Sequence, residues 1–159
     1  MPQHQHAFSP ARRPGLRRRL AVLALAALIP LLAAGSAAAA SIVVTINGVH
    51  SNMGEVVVAL YNRAEGFPDG DYSIRHTKTK ASTQPIVVTF PDLPPGRYAV
   101  AAYHDEESLG HFKTNFFGYP LDGYAISNGV RAIISRPRFE DAAFSVRAET
   151  TPVTLQIGY

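Results

Sequence analysis

Residues 85–104 read PIVVTFPDLPPGRYAVAAYH, and the fold follows from how these two β-rich runs and their link are read. In PIVVTF (85–90) and RYAVAAYH (97–104), branched and aromatic residues crowd between turn residues, the composition of strands. The link PDLPPG (91–96) sets Pro95-Gly96 where a tight turn wants a fixed φ and then a positive one. The two runs are therefore expected to form a hairpin. On the N-terminal side, EVVVALY (55–61) is apolar on both faces, as a central strand would be. In SIVVTIN (41–47), Ile42, Val44 and Ile46 alternate with Val43, Thr45 and Asn47; in TPVTLQIGY (151–159), Val153, Leu155 and Ile157 alternate with Thr154 and Gln156. Each is a strand with one buried face. Further strands are expected near 131–135 and 142–146, and YSIRHTKTK (72–80) adds a short edge strand whose Lys78 and Lys80 discourage stray pairing. The sum is an all-β chain, a single antiparallel β-sandwich of about seven strands.

The first forty residues stand apart. Arg12, Arg13, Arg17, Arg18 and Arg19 precede an apolar run over 20–32 and small residues through Ala38, Ala39 and Ala40. This is the layout of a secretory signal peptide, with Ala38 and Ala40 at the small subsites and Ser41 the first mature residue. Residues 20–40 are nearly long enough to span a bilayer at about 20 residues, but Pro30 and the small-residue tail speak against an anchor. The expected division is a signal peptide over 1–40 and one β-sandwich domain over 41–159, exported to the periplasm or the medium and touching membrane only through the signal segment.

Export removes the basic balance of the chain. Five of its fifteen basic residues precede residue 41 and all twelve acids follow it, so ten basic residues against twelve acids leave −2. Nucleic acid is thereby set aside as a partner. The absence of cysteine excludes a disulfide framework, a thiol nucleophile, a thiolate metal site and a lipidated N-terminal cysteine.

Residues 104–128, HDEESLGHFKTNFFGYPLDGYAISN, form a loop too irregular for a strand or helix, and such loops carry function more often than cores do. Phe112, Phe116, Phe117, Tyr119 and Tyr124 are mixed there with Gly118, Pro120 and Gly123. One expectation is a folded-back loop capping the end of the sandwich. The other leaves Phe116, Phe117, Tyr119 and Tyr124 as a platform for an envelope protein or a glycan, since aromatic rings supply contact area and tyrosine a polar tip. No cofactor is expected.

The segments FPDLPPGRYAVAAYHDE (90–106), TNFFGYPLDGYAISN (114–128) and RPRFEDAAF (136–144) together resemble an exported bacterial family known as domain-of-unknown-function family 2141. The resemblance implies a prealbumin-like or carboxypeptidase-regulatory-like β-sandwich and no established activity. It also implies an HDENxNGxxDTN-like loop, whose alternating oxygens resemble a calcium-binding turn. Asp105, Gly110 and Asn115 fit that pattern and Glu107 offers oxygen, whereas Leu109 and Lys113 depart from it. The better reading is a degenerate loop held by turns and by ion pairs of Lys113 with Asp105 or Glu107.

The same residues also admit other chemistries. His104 and His111 with Asp105 or Glu107 would suit zinc if the loop folded back on itself, with His50 or His76 joining. Ser127, His104 and Asp105 could be written as a hydrolase, yet no nucleophile elbow surrounds Ser127, and adjacent His104 and Asp105 point to opposite faces of a strand. In RPRFEDAAF, Phe139 and Phe144 are expected to pack inward, Glu140 and Asp141 to cap or pair with Arg136 or Arg138, and Ala142-Ala143 to begin a strand. The chain thus reads as an exported non-catalytic binding or structural module of the bacterial cell envelope. The alternative is a calcium- or zinc-binding protein or metal-dependent enzyme centred on His104, Asp105, Glu107 and His111.

Overall fold

In a computed structural model of the chain, residues 39–116, 118–131, 135–147 and 149–159 are described. Of the signal peptide expected over 1–40, residues 1–38 lie outside them, as does most of the strand expected near 131–135, and Ala40 already belongs to the first strand. The strands are β1 (Ala40–Asn47), β2 (Glu55–Tyr61), β3 (Arg75–Lys80), β4 (Ile86–Leu93), β5 (Gly96–Asp105), β6 (Tyr124–Ile126), β7 (Phe144–Val146) and β8 (Thr150–Gln156). They build two sheets, one ordered β4-β1-β8 and one ordered β3-β2-β5-β6 with β7 also paired to β5. Among the described residues the chain is all-β apart from short 3-10 turns and one four-residue helix, α1 (Phe139–Ala142). Among the described residues no helix is long and apolar enough to cross a membrane.

Residues 85–104 do not make the expected hairpin. β4 pairs with β1 and β5 with β2, so the link between them passes from one sheet to the other. Only Pro94 and Pro95 separate the two strands, and a two-residue hairpin needs positive φ that the proline ring forbids. The positive φ sits instead at Asp92 (φ 55), where β4 carries an extra residue against β1 between Phe90 and Leu93. The Tyr98 hydroxyl donates to the Pro94 carbonyl at 2.8 Å and pins the corner.

Nor are all the pairings antiparallel: β8 lies parallel to β1, Val44 opposite Val153 and Ile46 opposite Leu155. Parallel neighbours need a long crossover, and everything from β2 to β7 supplies it. At the edges the composition is protective. β3 presents Lys78 and Lys80 on one flank, and Pro152 falls in edge strand β8, where a missing donor costs no ladder bond.

Between the sheets lies the main core. Ile42, Val44 and Ile46 of β1 meet Val56, Val58 and Leu60 of β2, with Val88 and Phe90 of β4, Val100 of β5 and Leu155 of β8 around them. A smaller cluster forms on the outer face of the larger sheet, where Tyr61 and Ala99 are covered by Phe67, Phe139 and Ala142. RPRFEDAAF thus folds as a helical turn with Phe139 and Ala142 buried rather than opening a strand at Ala142. Phe144 packs against the main core, and Arg138 pairs with Glu140 at 3.6 Å on the surface.

Leu60 is fully buried and Val87 is 62% exposed. Replacing Leu60 by Ala is expected to cost about 2–5 kcal/mol in urea unfolding, and Val87→Ala no more than about 0.5 kcal/mol. Equal losses would contradict this placement of the core.

Candidate recognition surface

β5 delivers His104 and Asp105 to the loop by alternation: His104 faces inward in line with Val100 and Ala102, and Asp105 follows Tyr103 to the other side. Both are buried. His104 Nε2 lies 2.8 Å from the Met53 carbonyl, which can only accept, so this nitrogen carries the proton. With Nε2 as the donor, Nδ1 accepts from the Tyr159 hydroxyl at 2.7 Å, and that oxygen itself accepts from the His50 amide at 3.2 Å. The His50 ring stacks on Tyr159 with centroids 3.8 Å apart and reaches Glu106 at 3.2 Å, while the Ser51 hydroxyl donates to the same carboxylate. His104 is therefore a tie between the β1–β2 link, β5 and the end of the chain.

Asp105 starts the loop and Asp122 finishes it. A buried carboxylate must be hydrogen-bonded; Asp105 accepts from the Leu109 and Gly110 amides at 2.8 and 2.6 Å, and Asp122 from the Lys113 amide at 2.7 Å. Gly54 lets this end of β5 close up, since a Cβ there would stand 2.0 Å from the Asp105 carbonyl. Lys113 bridges Glu107 at 2.8 Å and Asp122 at 3.6 Å, so its partners are Glu107, as expected, and Asp122 rather than Asp105. The Glu107 hydrogen bond, followed by the charges of Glu107 and Asp122, holds the lysine above its ordinary range.

Beyond Lys113 the chain forms a narrow finger. The Leu121 amide donates to the Lys113 carbonyl, Thr114 bridges Pro120, and Asn115 and Tyr119 exchange backbone bonds at 2.8 Å and, from amide to side chain, 2.9 Å. Gly118, at φ 82, turns the tip. This finger does not cap the end of the core. It lies against the outer face of the larger sheet, with Phe112 edge-on to Tyr103 and Tyr124 at 5.4 and 5.9 Å. Phe116 at the tip is 97% exposed and Tyr119 57% exposed; Phe117 lies outside the described residues.

Finger and sheet enclose a groove of about 920 Å³. Its floor is set by register: Val57 lies opposite Tyr103 and Lys78, and Ala59 opposite Ala101 and His76. The alanines leave a trough between the tyrosine rings. Phe112, Tyr119 and Pro120 wall one side, and Pro68, Asp69, Asp71 and Arg136 the other. Arg136 donates to the carbonyls of Gly66 and Phe67, and the Tyr61 hydroxyl to Pro68 at 2.9 Å, so the far wall is braced from below. Burial, then the charges of Asp105, Asp122 and Glu55, pushes the Tyr103 phenol up and keeps it a neutral hydroxyl.

Of the residues proposed from sequence, Tyr119 and Tyr124 line the groove and Phe116 marks the finger tip. His104, Asp105, Glu107 and His111 are not brought together. His104 and Asp105 are spent on Tyr159, Met53 and loop amides, Glu107 pairs with Lys113, and His111 lies exposed on the groove. No group of three or more side chains suited to hold a metal ion occurs among the described residues. Ser127 is buried, accepting from the Val100 amide at 3.0 Å and donating to the Ala142 carbonyl at 2.7 Å, far from a nucleophile's exposure. The groove floor was missed. Its trace in the sequence is small Ala59 and Ala101 at alternating positions of strands apolar on both faces.

This is an all-β protein of two sheets that carries a cavity on one sheet face. It belongs to the family described as an uncharacterized protein conserved in bacteria, DUF2141, whose model matches residues 44–154. The chain matches no curated protein and no solved structure.

Two outcomes test the geometry around His104. Tyr159→Phe removes the donor to a buried imidazole nitrogen and is expected to cost about 1–3 kcal/mol in chemical denaturation. The hydrogen bonds from Ser51 and then His50 hold the Glu106 carboxyl below its usual value. Their contribution to stability is present above the ordinary glutamate range, about pH 4.3, and is lost as pH falls through the lowered value. The thermal midpoint of the wild type should thus fall more steeply below about pH 4 than that of Glu106→Gln. Parallel profiles would remove Glu106 from the tie.

Proposed function

We propose that the protein is an exported, non-catalytic recognition module of the bacterial cell envelope, a prealbumin-like β-sandwich that reads its partner with residues 104–128. The observation that carries this is the groove of about 920 Å³ on the outer sheet face, within the ~300–1,000 Å³ range of binding clefts. A loop clamped by Asp105, Asp122 and Lys113 holds Tyr119 and Phe116 outward without a core beneath them, an arrangement that costs solvation and serves contact. The charged, then apolar, then alanine-rich start of the chain supports export. A non-catalytic role is supported by how Ser127, His104 and Asp105 are used: each spends its bonding capacity on backbone groups or Tyr159.

Co-sedimentation of the purified protein with isolated bacterial envelopes tests the reading. Wild type and Thr89→Ala, altered on the opposite sheet, should be retained alike, and Phe116→Ser with Tyr119→Ala should reduce retention about tenfold, or ~1.4 kcal/mol. Equal retention of all three, or of none, would count against the loop as the recognition surface.

A further inference from the structure

We propose that the groove takes a neutral oligosaccharide, an inference that rests on the recognition reading and gives its ligand a chemistry. The floor is the first constraint. The backbone amides and carbonyls of β2 and β5 are committed to ladders with β3, each other and β6, so Val57, Ala59 and Ala101 offer only hydrocarbon. A peptide laid there would bury amide groups without partners, at about 1–3 kcal/mol for each one left unsatisfied. A pyranose ring has a face of C–H groups that needs none, and that face fits against an alanine trough between aromatic rings.

The rim is the second constraint. The hydroxyls of Tyr103, Tyr119 and Thr114 and the rings of His76 and His111 line the groove with no hydrogen-bond partner among the described residues. These groups both donate and accept, or do one at each ring nitrogen, and so match sugar hydroxyls, which do the same. An acyl chain would strip water from all of them and return nothing.

Charge is the third. Among the described residues the groove lining carries two cations, Lys78 and Arg136; Lys78 has Glu55 within 3.8 Å, and Arg136 donates to the Gly66 and Phe67 carbonyls. Asp69 and Asp71 stand on the same rim. The two aspartates offset the lysine and the arginine, so these four side chains give the lining no net charge to draw a phosphate or carboxylate, which disfavours nucleotides, phosphosugars and acidic glycans. With room for more than one ring, the geometry selects a short neutral saccharide chain.

The test uses saturation-transfer NMR and calorimetry on the purified protein with maltotriose, cellotriose and chitotriose, and with trialanine and anilinonaphthalene sulfonate as non-sugar probes. At least one trisaccharide is expected to bind. Ala101→Leu, which fills the trough, and Tyr119→Ala, which removes a wall, should each weaken it tenfold or more while the thermal midpoint stays within a few degrees. If Ala101→Leu fails to fold, Tyr119→Ala alone decides. Trisaccharide binding that ignores both variants places the sugar elsewhere and overturns the inference. Binding of trialanine or the dye alone, lost in the variants, also overturns it but leaves the groove a recognition site for another ligand. If no probe binds and the finger variants sediment with envelopes as wild type does, both readings fall together.

Discussion

The antiparallel pairing of β2 with β5 is the constraint on which the rest of the structure depends. Both strands are apolar on both faces, so their pairing creates two surfaces that must leave water. The inner surface, Val56, Val58 and Leu60 with Val100 and Ala102, is met by β1, β4 and β8 and becomes the main core. Among the described residues no third sheet covers the outer surface. One half is closed by Phe67, Phe139 and Ala142, and the other half is walled by the finger, which leaves the groove.

That division explains why the loop is built as it is. A finger reaching over a sheet face has little hydrophobic burial of its own and pays an entropic cost for order. Its order comes from polar bonds placed at its base. Asp105 and Asp122, both nearly without solvent contact, take up amides of Leu109, Gly110 and Lys113, while Lys113 ties Glu107 and Asp122 together. Since a carboxylate in such a position is costly without its donors, the clamp is cooperative: removing a donor strands a charge. Phe112 serves as an apolar foot, on Tyr103 and Tyr124. Phe116 is exposed at the tip, and Tyr119 lines the groove.

The same residues show where reading the chain worked and where it stopped. Alternation in SIVVTIN placed Ile42, Val44 and Ile46 in the core because a period of two leaves no other face to bury. The double-sided EVVVALY became an interior strand for the same reason, and Lys78 and Lys80 fell on a sheet edge. PDLPPG misled, since proline and glycine signal a turn without saying whether the chain returns to the same sheet or crosses to the other. FEDA took one helical turn because Phe139 and Ala142, three apart, could then bury together on Tyr61 and Ala99. His104 and Asp105 looked like ligands because their side chains can coordinate; their partners, Met53 and Tyr159 on one side and loop amides on the other, come from distant or irregular backbone.

By itself the sequence determined the local quantities: strand content, which face of each strand is apolar, the absence of thiol chemistry, and the presence of an aromatic loop after β5. These depend on residue type and spacing of two, and neither needs to know its neighbours. Tertiary structure alone decided which strands share a sheet, that β8 runs parallel to β1, and that Ala59 and Ala101 lie side by side in a groove that Tyr103 and Tyr119 also line. Those are relations between residues some forty or more positions apart in the chain, from Ala59 to Ala101 and from Val44 to Val153. They are fixed by which pairing of double-sided strands buries the most apolar surface, a comparison that no single segment contains.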